Sequence, residues 1–186
     1  LKVLIMNGSP REDSRTEVVC RTVEEILSKV NDKAETDTIA LNRYILPLFD
    51  GKGSTKQNEK VQHFIERCTE ADAFIICTPE YHNGISGALK NALDFLNKVH
   101  FHQKPVGILC ASGSESTGLN ALNQLRLVCR GLSGSVLTSQ VVVSPDKIND
   151  DKQIDHEGVL ANIENLIQEL IPFAEFLKER RHGEYV

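Results

Sequence analysis

A chain of 186 residues is long enough for one domain with a substantial core, so a single domain spanning 1–186 is expected. With 26 acidic against 21 basic residues, a formal charge of -5 and no block of like charge, it carries no nucleic-acid footprint, and small molecules or protein are the expected partners. No apolar run approaches the roughly 18 residues of a membrane span, and the opening "LKVLIM" is too short for a signal segment, so a cytoplasmic protein with no membrane partner is expected.

The continuously apolar "KVLIM" at 2–6 predicts a strand covered on both faces. The loop after it, "NGSPREDSRT" at 7–16, holds Gly8 for a tight turn, the hydroxyls of Ser9, Ser14 and Thr16, and the guanidinium of Arg11 or Arg15. A helix follows, with Val18, Val19, Thr22, Val23, Ile26, Leu27 and Val30 at helical spacing, and its free N–H groups would point into that loop. Together these are the parts of a phosphate site. The plainer reading is a capping box, with Ser14 capping the helix and Glu17 reaching back; it requires neither Ser9 nor Arg11, and both roles can coexist.

A second strand is predicted near 34–40, then an irregular segment over 41–55. "GKGST" at 51–55 is not a nucleotide-triphosphate loop, because Leu46 stands where the earlier glycine is needed and no strand leads into it. Val61, Phe64, Ile65 and Cys68 predict a helix, and "AFIIC" ends a third strand at 72–77. In the loop that follows, "TPEYHNGISGALKNALDFL" at 78–96, Gly84 and Gly87 allow close backbone approach to a flat ligand, Tyr81 offers a stacking ring and Ser86 a helix cap. An ordinary strand-to-helix turn is the alternative. A helix through Ile85, Ala88, Leu89, Ala92, Leu93 and Leu96 comes next; His100 and His102 in "HFH" lack a carboxylate or thiol cluster at ligand spacing, so no metal is expected.

"VGILC" predicts a fourth strand over 105–110, and the loop "CASGSESTGLNAL" at 110–122 offers Gly113 and Gly118 among small hydroxyl residues. Leu119, Leu122, Leu125 and Val128 continue as a helix; a fifth strand covers 135–143, with an irregular stretch over 144–154. The last helix carries Val159, Leu160, Ile163, Leu166, Ile167, Leu170 and Ile171, and Pro172 is expected to kink or end it. Strands alternating with helices give an α/β fold, a five-stranded parallel sheet with helices on both faces, whose ligand sits at the carboxyl ends of strands near the switch in winding. The five cysteines form no CxxC pair and read as reduced, buried thiols, and GxGxxG is absent.

The motifs "GSPREDSRT" and "PEYHNGISGALKNALDF" resemble the phosphate loop and flavin-edge loop of the flavodoxin-like NAD(P)H-dependent FMN reductase family, which includes azo-dye, quinone and chromate reductases. The match is closest to bacterial azoreductase-type members. His82 replaces the asparagine of a common "PEYN", Gly84 a serine, Ser86 a proline and Phe95 a tryptophan. The resemblance implies that Ser9, Arg11, Ser14 and Thr16 bind the FMN phosphate, with Arg15 beside them. It implies that Pro79, Glu80, Tyr81, His82, Asn83 and Gly84 line the ribityl chain and ring mainly through backbone groups, and that Ser112, Gly113 and Gly118 close the far side. It further implies a three-layer flavodoxin-like sandwich and a homodimer or homotetramer; the helix Ala88–Asn97, whose apolar residues extend beyond one narrow stripe, is the candidate contact surface.

The flavin then carries the chemistry and no side chain need be catalytic. Hydride would pass from NADPH or NADH to flavin N5, near a backbone N–H of residues 80–84, and a small acceptor (a quinone, azo compound, free flavin or chromate) would follow in ping-pong order. His82 reads as a proton relay or as a positioning or exposed residue. Tyr44 and Phe49 would cover the flavin of a neighbouring subunit or the substrate, or pack beneath their own loop; Arg126 and Arg130 would contact a 2′-phosphate or lie solvated. A flavodoxin-like electron carrier to a protein partner and a flavin-free regulatory module remain as alternatives.

Overall fold

The computed structural model describes residues 1–183. Its frame is set by strands whose side chains alternate between two buried faces. In β1 (Lys2–Asn7), Val3 and Ile5 face one way and Leu4 and Met6 the other, and all four are fully buried. β3 (Ala73–Pro79) and β4 (Pro105–Ala111) are buried along their whole length. Burial on both faces is why these runs are apolar without a break. β2 (Glu35–Ala40) pairs on one side with β1 and is mostly polar, as an edge strand should be, and β5 (Ser135–Val143) closes the other edge.

All the pairings are parallel, in the order β2-β1-β3-β4-β5. The chain winds outward from β1 to β2, then returns across β1 to β3, so the switch lies between β1 and β3. This is the flavodoxin-like order.

Helices α1 (Arg15–Val30) and α7 (Glu157–Gly183) cover the face carrying Val3, Ile5 and Ile75. The opposite face, with Leu4, Met6, Phe74 and Ile76, lies under α3 (Glu59–Glu70), α4 (Gly87–Asp94) and α6 (Leu119–Gly131). Each fully buried side chain of this size contributes about 1.5–3 kcal/mol of transfer free energy. Single-turn helices α2 (Gly53–Lys56) and α5 (Lys98–Phe101) and a 3-10 turn, Pro145–Lys147, interrupt segments expected to be irregular or helix-free. Among the described residues no helix is long and apolar enough to cross a membrane.

Two expectations are narrowed by the structure. Of the kink or end expected at Pro172, the end does not occur: helix α7 continues to Gly183. The lost hydrogen bond is outweighed because Ala174 and Leu177 reach the core, while Lys178 and Arg181 bind Asp72 at 2.7 and 2.8 Å. The apolar excess in Ala88–Asn97 is accounted for within the chain. Leu89, Ala92, Leu93, Phe95 and Leu96 are all buried within the chain, and the outward face presents the Lys90–Asp94 ion pair.

Candidate functional site

The β1–α1 connection turns sharply because Gly8 passes against the neighbouring strand: its N–H donates to the Cys77 carbonyl at 2.8 Å, and a Cβ there would stand 3.0 Å from that oxygen. Beyond the turn the loop is held by its own polar groups. Asn7 Oδ1 accepts from Ser9 N–H at 3.0 Å, and Ser9 Oγ accepts from Arg11 N–H at 3.2 Å. Ser14 caps α1 by accepting from Glu17 N–H at 3.2 Å. The capping box is only half made, because Glu17 turns its carboxylate to Arg43 at 2.7 Å.

Among the described residues two buried polar atoms here find no hydrogen-bond partner: Thr16 Oγ1, in the first turn of α1, and Asn7 Nδ2, at the end of β1. A buried group without a partner costs about 1–3 kcal/mol, so the persistence of the Thr16 hydroxyl at a helix N-terminus points to a ligand with acceptor oxygens. A cavity of about 300 Å³ opens at this point, lined by Ser9, Arg11, Asp13, Ser14, Arg15, Thr16, Pro79, Glu80, Tyr81, Ala111 and Gly113. A larger groove of about 770 Å³ runs between α1, α7 and residues 151–154, but neither the β3–α4 nor the β4–α6 loop lines it. Position at the switch point, not size, selects the smaller cavity.

The β3–α4 loop forms the second wall. Residues 81–84 make a tight reverse turn in which Tyr81 and Gly84 exchange N–H to carbonyl bonds of 2.9 and 3.0 Å. His82 and Asn83 both take left-handed conformations, φ 50° and 63°, as a type I′ turn demands. Their side chains are exposed. Ser86 caps α4 through Leu89 N–H at 3.0 Å and donates its hydroxyl hydrogen to the Gly8 carbonyl, which ties this loop to the first. The Tyr81 hydroxyl is buried and unpaired among the described residues.

The structure thus brings Ser9, Arg11, Ser14, Arg15, Thr16, Pro79, Glu80, Tyr81 and Gly113 into one cavity. His82, Asn83, Gly84, Ser112 and Gly118 do not line it. Ser112 is buried and bonds to Ser114 and Val143 carbonyls. Gly118 starts α6 at φ 112°, where a Cβ would meet Val142 at 2.7 Å. The sequence reading missed Asp13 and Ala111 in the cavity lining, and Asn7, which holds Ser9 from beneath through its side-chain oxygen. It also missed Asn120 and Gln124 of α6, which reach the 81–85 stretch through Asn83 at 3.2 Å and Ile85 N–H at 2.7 Å. Asn7 could have been suspected as the last residue of the strand before a Gly-Ser turn; the α6 residues carried no local signal.

Other groups are committed elsewhere. Tyr44 and Phe49 pack against the core; Phe49 meets Phe95 edge to face at 5.2 Å, and Tyr44 donates to the Lys60 carbonyl. Arg126 spends its guanidinium on the Leu137 carbonyl and Gln140. All five cysteines are buried. A hydrogen bond with Cys77 and burial raise the Cys20 thiol well above its ordinary range, and burial pushes Cys68, Cys110 and Cys129 up to about 12. None is a poised nucleophile. Among the described residues no group of three or more His, Cys, Asp or Glu side chains is placed to hold a metal.

A flavodoxin-like sheet with a hydroxyl- and guanidinium-lined cavity at a helix N-terminus defines a protein for a phosphate-bearing ligand. Residues 1–147 match the model of the NADPH-dependent FMN reductase family. An NADPH azoreductase of Bacillus sp. (strain OY1-2) is 33% identical over 179 residues, covering 96% of each chain. An FMN-dependent NADPH-azoreductase of Staphylococcus aureus (strain USA300) is 34% identical over 145 residues, 76% of each. Among solved structures, FerB, a flavoenzyme NAD(P)H:(acceptor) oxidoreductase from Paracoccus denitrificans, superposes with a TM-score of 0.74 over 96% of this chain and 97% of that one. The apo form of the NADH:FMN oxidoreductase EMOB gives 0.73 over 91% and 89%. Identities of 18% and 20% make these two a likeness of fold. The chain belongs to the NADPH-dependent FMN reductase family. It is an oxidoreductase of that family, with FMN as cofactor and NADPH as electron donor.

Proposed function

We propose that the chain is one FMN-binding domain that reduces a small acceptor such as a quinone, an azo compound, free flavin or chromate at the expense of NADPH. The observation that carries this reading is the buried Thr16 hydroxyl, unpaired among the described residues at the N-terminus of α1, in one cavity with Arg11, Arg15, Ser9 and Ser14. The donor set fits a phosphate monoester: hydroxyls and backbone N–H groups at a positive helix end, with guanidinium groups at the rim. FMN held there would supply the redox chemistry between NADPH and the acceptor, which no side chain of the chain provides.

The chain's own part is to bind and orient. Ser9, Ser14 and Thr16 hold the phosphate with Arg11 and Arg15. Pro79, Tyr81 and the backbone of Glu80 wall the ribityl and ring portion, and the 81–84 turn fixes that wall. Ser112, Gly113 and Gly118 shape the opposite side, Gly113 directly and the other two by holding the loop. No side chain is asked to act as acid or base, and the exposed His82 serves the turn's geometry.

Donor and acceptor use the same opening in turn, which gives parallel double-reciprocal lines. The azoreductase names of the relatives make an azo compound the first acceptor to try. By resemblance to its family, the working form is a cytoplasmic homodimer or homotetramer.

The test is to load the protein with FMN, add NADPH without oxygen and follow the flavin band at about 450 nm. Bleaching that a quinone or azo dye reverses is the expected outcome. A yellow protein that neither NADPH nor NADH bleaches would make it an electron carrier instead, and failure to take up FMN would end the proposal.

A further inference from the structure

Helix α6 begins without a cap of its own. Gly118, its N-cap, has no side chain, and none would fit: a Cβ would lie 2.7 Å from Val142 Cγ1 and 3.2 Å from Ser112 Cβ. The missing acceptor comes from a different loop. Glu80 Oε2 accepts from Gly118 N–H at 2.9 Å and from Ala121 N–H at 3.2 Å, so a carboxylate of the β3–α4 loop caps the helix of the β4–α6 loop. The helix returns the contact. Gln124 Oε1 accepts from Ile85 N–H at 2.7 Å, and Asn120 Nδ2 donates to Asn83 Oδ1 at 3.2 Å.

Between these anchors stands the 81–84 turn, with two left-handed non-glycine residues that persist only where the surroundings hold them. Gly84 is the point of closest approach, since a Cβ there would stand 2.9 Å from Gln124 Oε1. The cavity wall at Pro79, Glu80 and Tyr81 is therefore held in place from α6.

We propose that Glu80 is a positioning residue: its carboxylate locks the β3–α4 loop to the start of α6 and so sets the affinity for FMN by fixing the cavity wall rather than by contacting the flavin. This rests on the FMN reading above. A wild-type chain that takes up no FMN would fail that reading before any substitution is made, and this proposal with it.

The experiment separates capping from positioning. Leu119, the first residue of α6, is 59% exposed, and an acid there supplies the charge that the helix end wants from within the helix itself. Glu80→Ala, Glu80→Gln and the pair Glu80→Ala with Leu119→Glu are compared by apo melting temperature and by FMN titration through quenching of flavin fluorescence. Glu80→Ala should melt lower and raise the FMN Kd about tenfold. In the paired variant the melting temperature should recover while the Kd stays raised, because the loops remain unlinked. Glu80→Gln, which keeps an acceptor oxygen, should stay within about threefold of wild type.

Recovery of the Kd together with the melting temperature would reduce Glu80 to a helix cap and overturn the proposal. So would an unchanged Kd in Glu80→Ala. A Glu80→Gln variant as impaired as Glu80→Ala, with shifted flavin absorption, would place the carboxylate on the flavin and overturn it as well. Should Glu80→Ala not fold, the paired variant and Glu80→Gln carry the same comparison.

Discussion

Thr16 and Lys104 are both buried polar residues, and they pull in different directions. The Thr16 hydroxyl has no partner among the described residues, so removing it should not weaken the apo fold. Thr16→Val is expected to leave apo stability unchanged or raise it by up to about 1 kcal/mol, while FMN affinity falls about 10- to 100-fold with the loss of a charge-assisted bond. Urea unfolding of the apo protein and an FMN titration read the two effects separately. Equal loss of both would mean the hydroxyl is structural.

Lys104, by contrast, is only 5% exposed and donates to the Cys68 and Thr69 carbonyls at the end of α3. Burial, helped by the Arg181 charge, lowers its pKa to about 8. The unfolded chain holds that proton more tightly, up to about pH 10.5. Folding therefore becomes more favourable as pH rises between those values. The stability of wild type relative to Lys104→Met should grow from pH 8 to pH 10.5, as measured by urea unfolding; a flat difference would mean that Lys104 keeps its ordinary pKa. The hydroxyls of the first loop were legible from their crowding after an apolar strand. Lys104 was not, because nothing beside it in sequence shows that it lies under the end of another helix.

At the level of elements, periodicity located the strands and long helices closely, since burial on two faces or one stripe writes directly into the order of apolar residues. Its failures came where a distant contact overruled a local preference. Pro172 is a helix breaker by propensity, yet α7 runs through it because the segment beyond is anchored on the core and on Asp72. With the helix already formed, Pro172→Ala should restore one backbone bond and raise stability by about 1–3 kcal/mol in urea unfolding. No gain would mean that Pro172 sits at a kink that other contacts maintain. The broad apolar pattern of Ala88–Asn97 likewise has a tertiary cause: the helix ends at Asp94, and Phe95 and Leu96 turn into the core.

For the molecule as a whole, five buried thiols distributed over both faces of the sheet report on its integrity. With Cys68, Cys110 and Cys129 pushed up to about 12 by burial, a thiol reagent at pH 8 should react only as fast as the fold opens. Labelling should slow when FMN is bound; a thiol that reacts at once in the native protein would contradict the buried arrangement.

The alternation of apolar runs with helical stripes was enough by itself to determine a parallel sheet covered on both sides, and turn chemistry after the first and third strands was enough to mark the two loops that meet at the cavity. Both are local patterns, fixed by the period of the backbone and by what a helix N-terminus attracts. Only the tertiary structure decided that Glu80 caps a helix 38 residues away, that Lys178 pairs with Asp72 across 106 residues, and that Gln124 steadies the turn beside the cavity. Such partners are chosen by strand order and helix crossing, which bring together residues whose own sequence neighbourhoods carry no trace of one another.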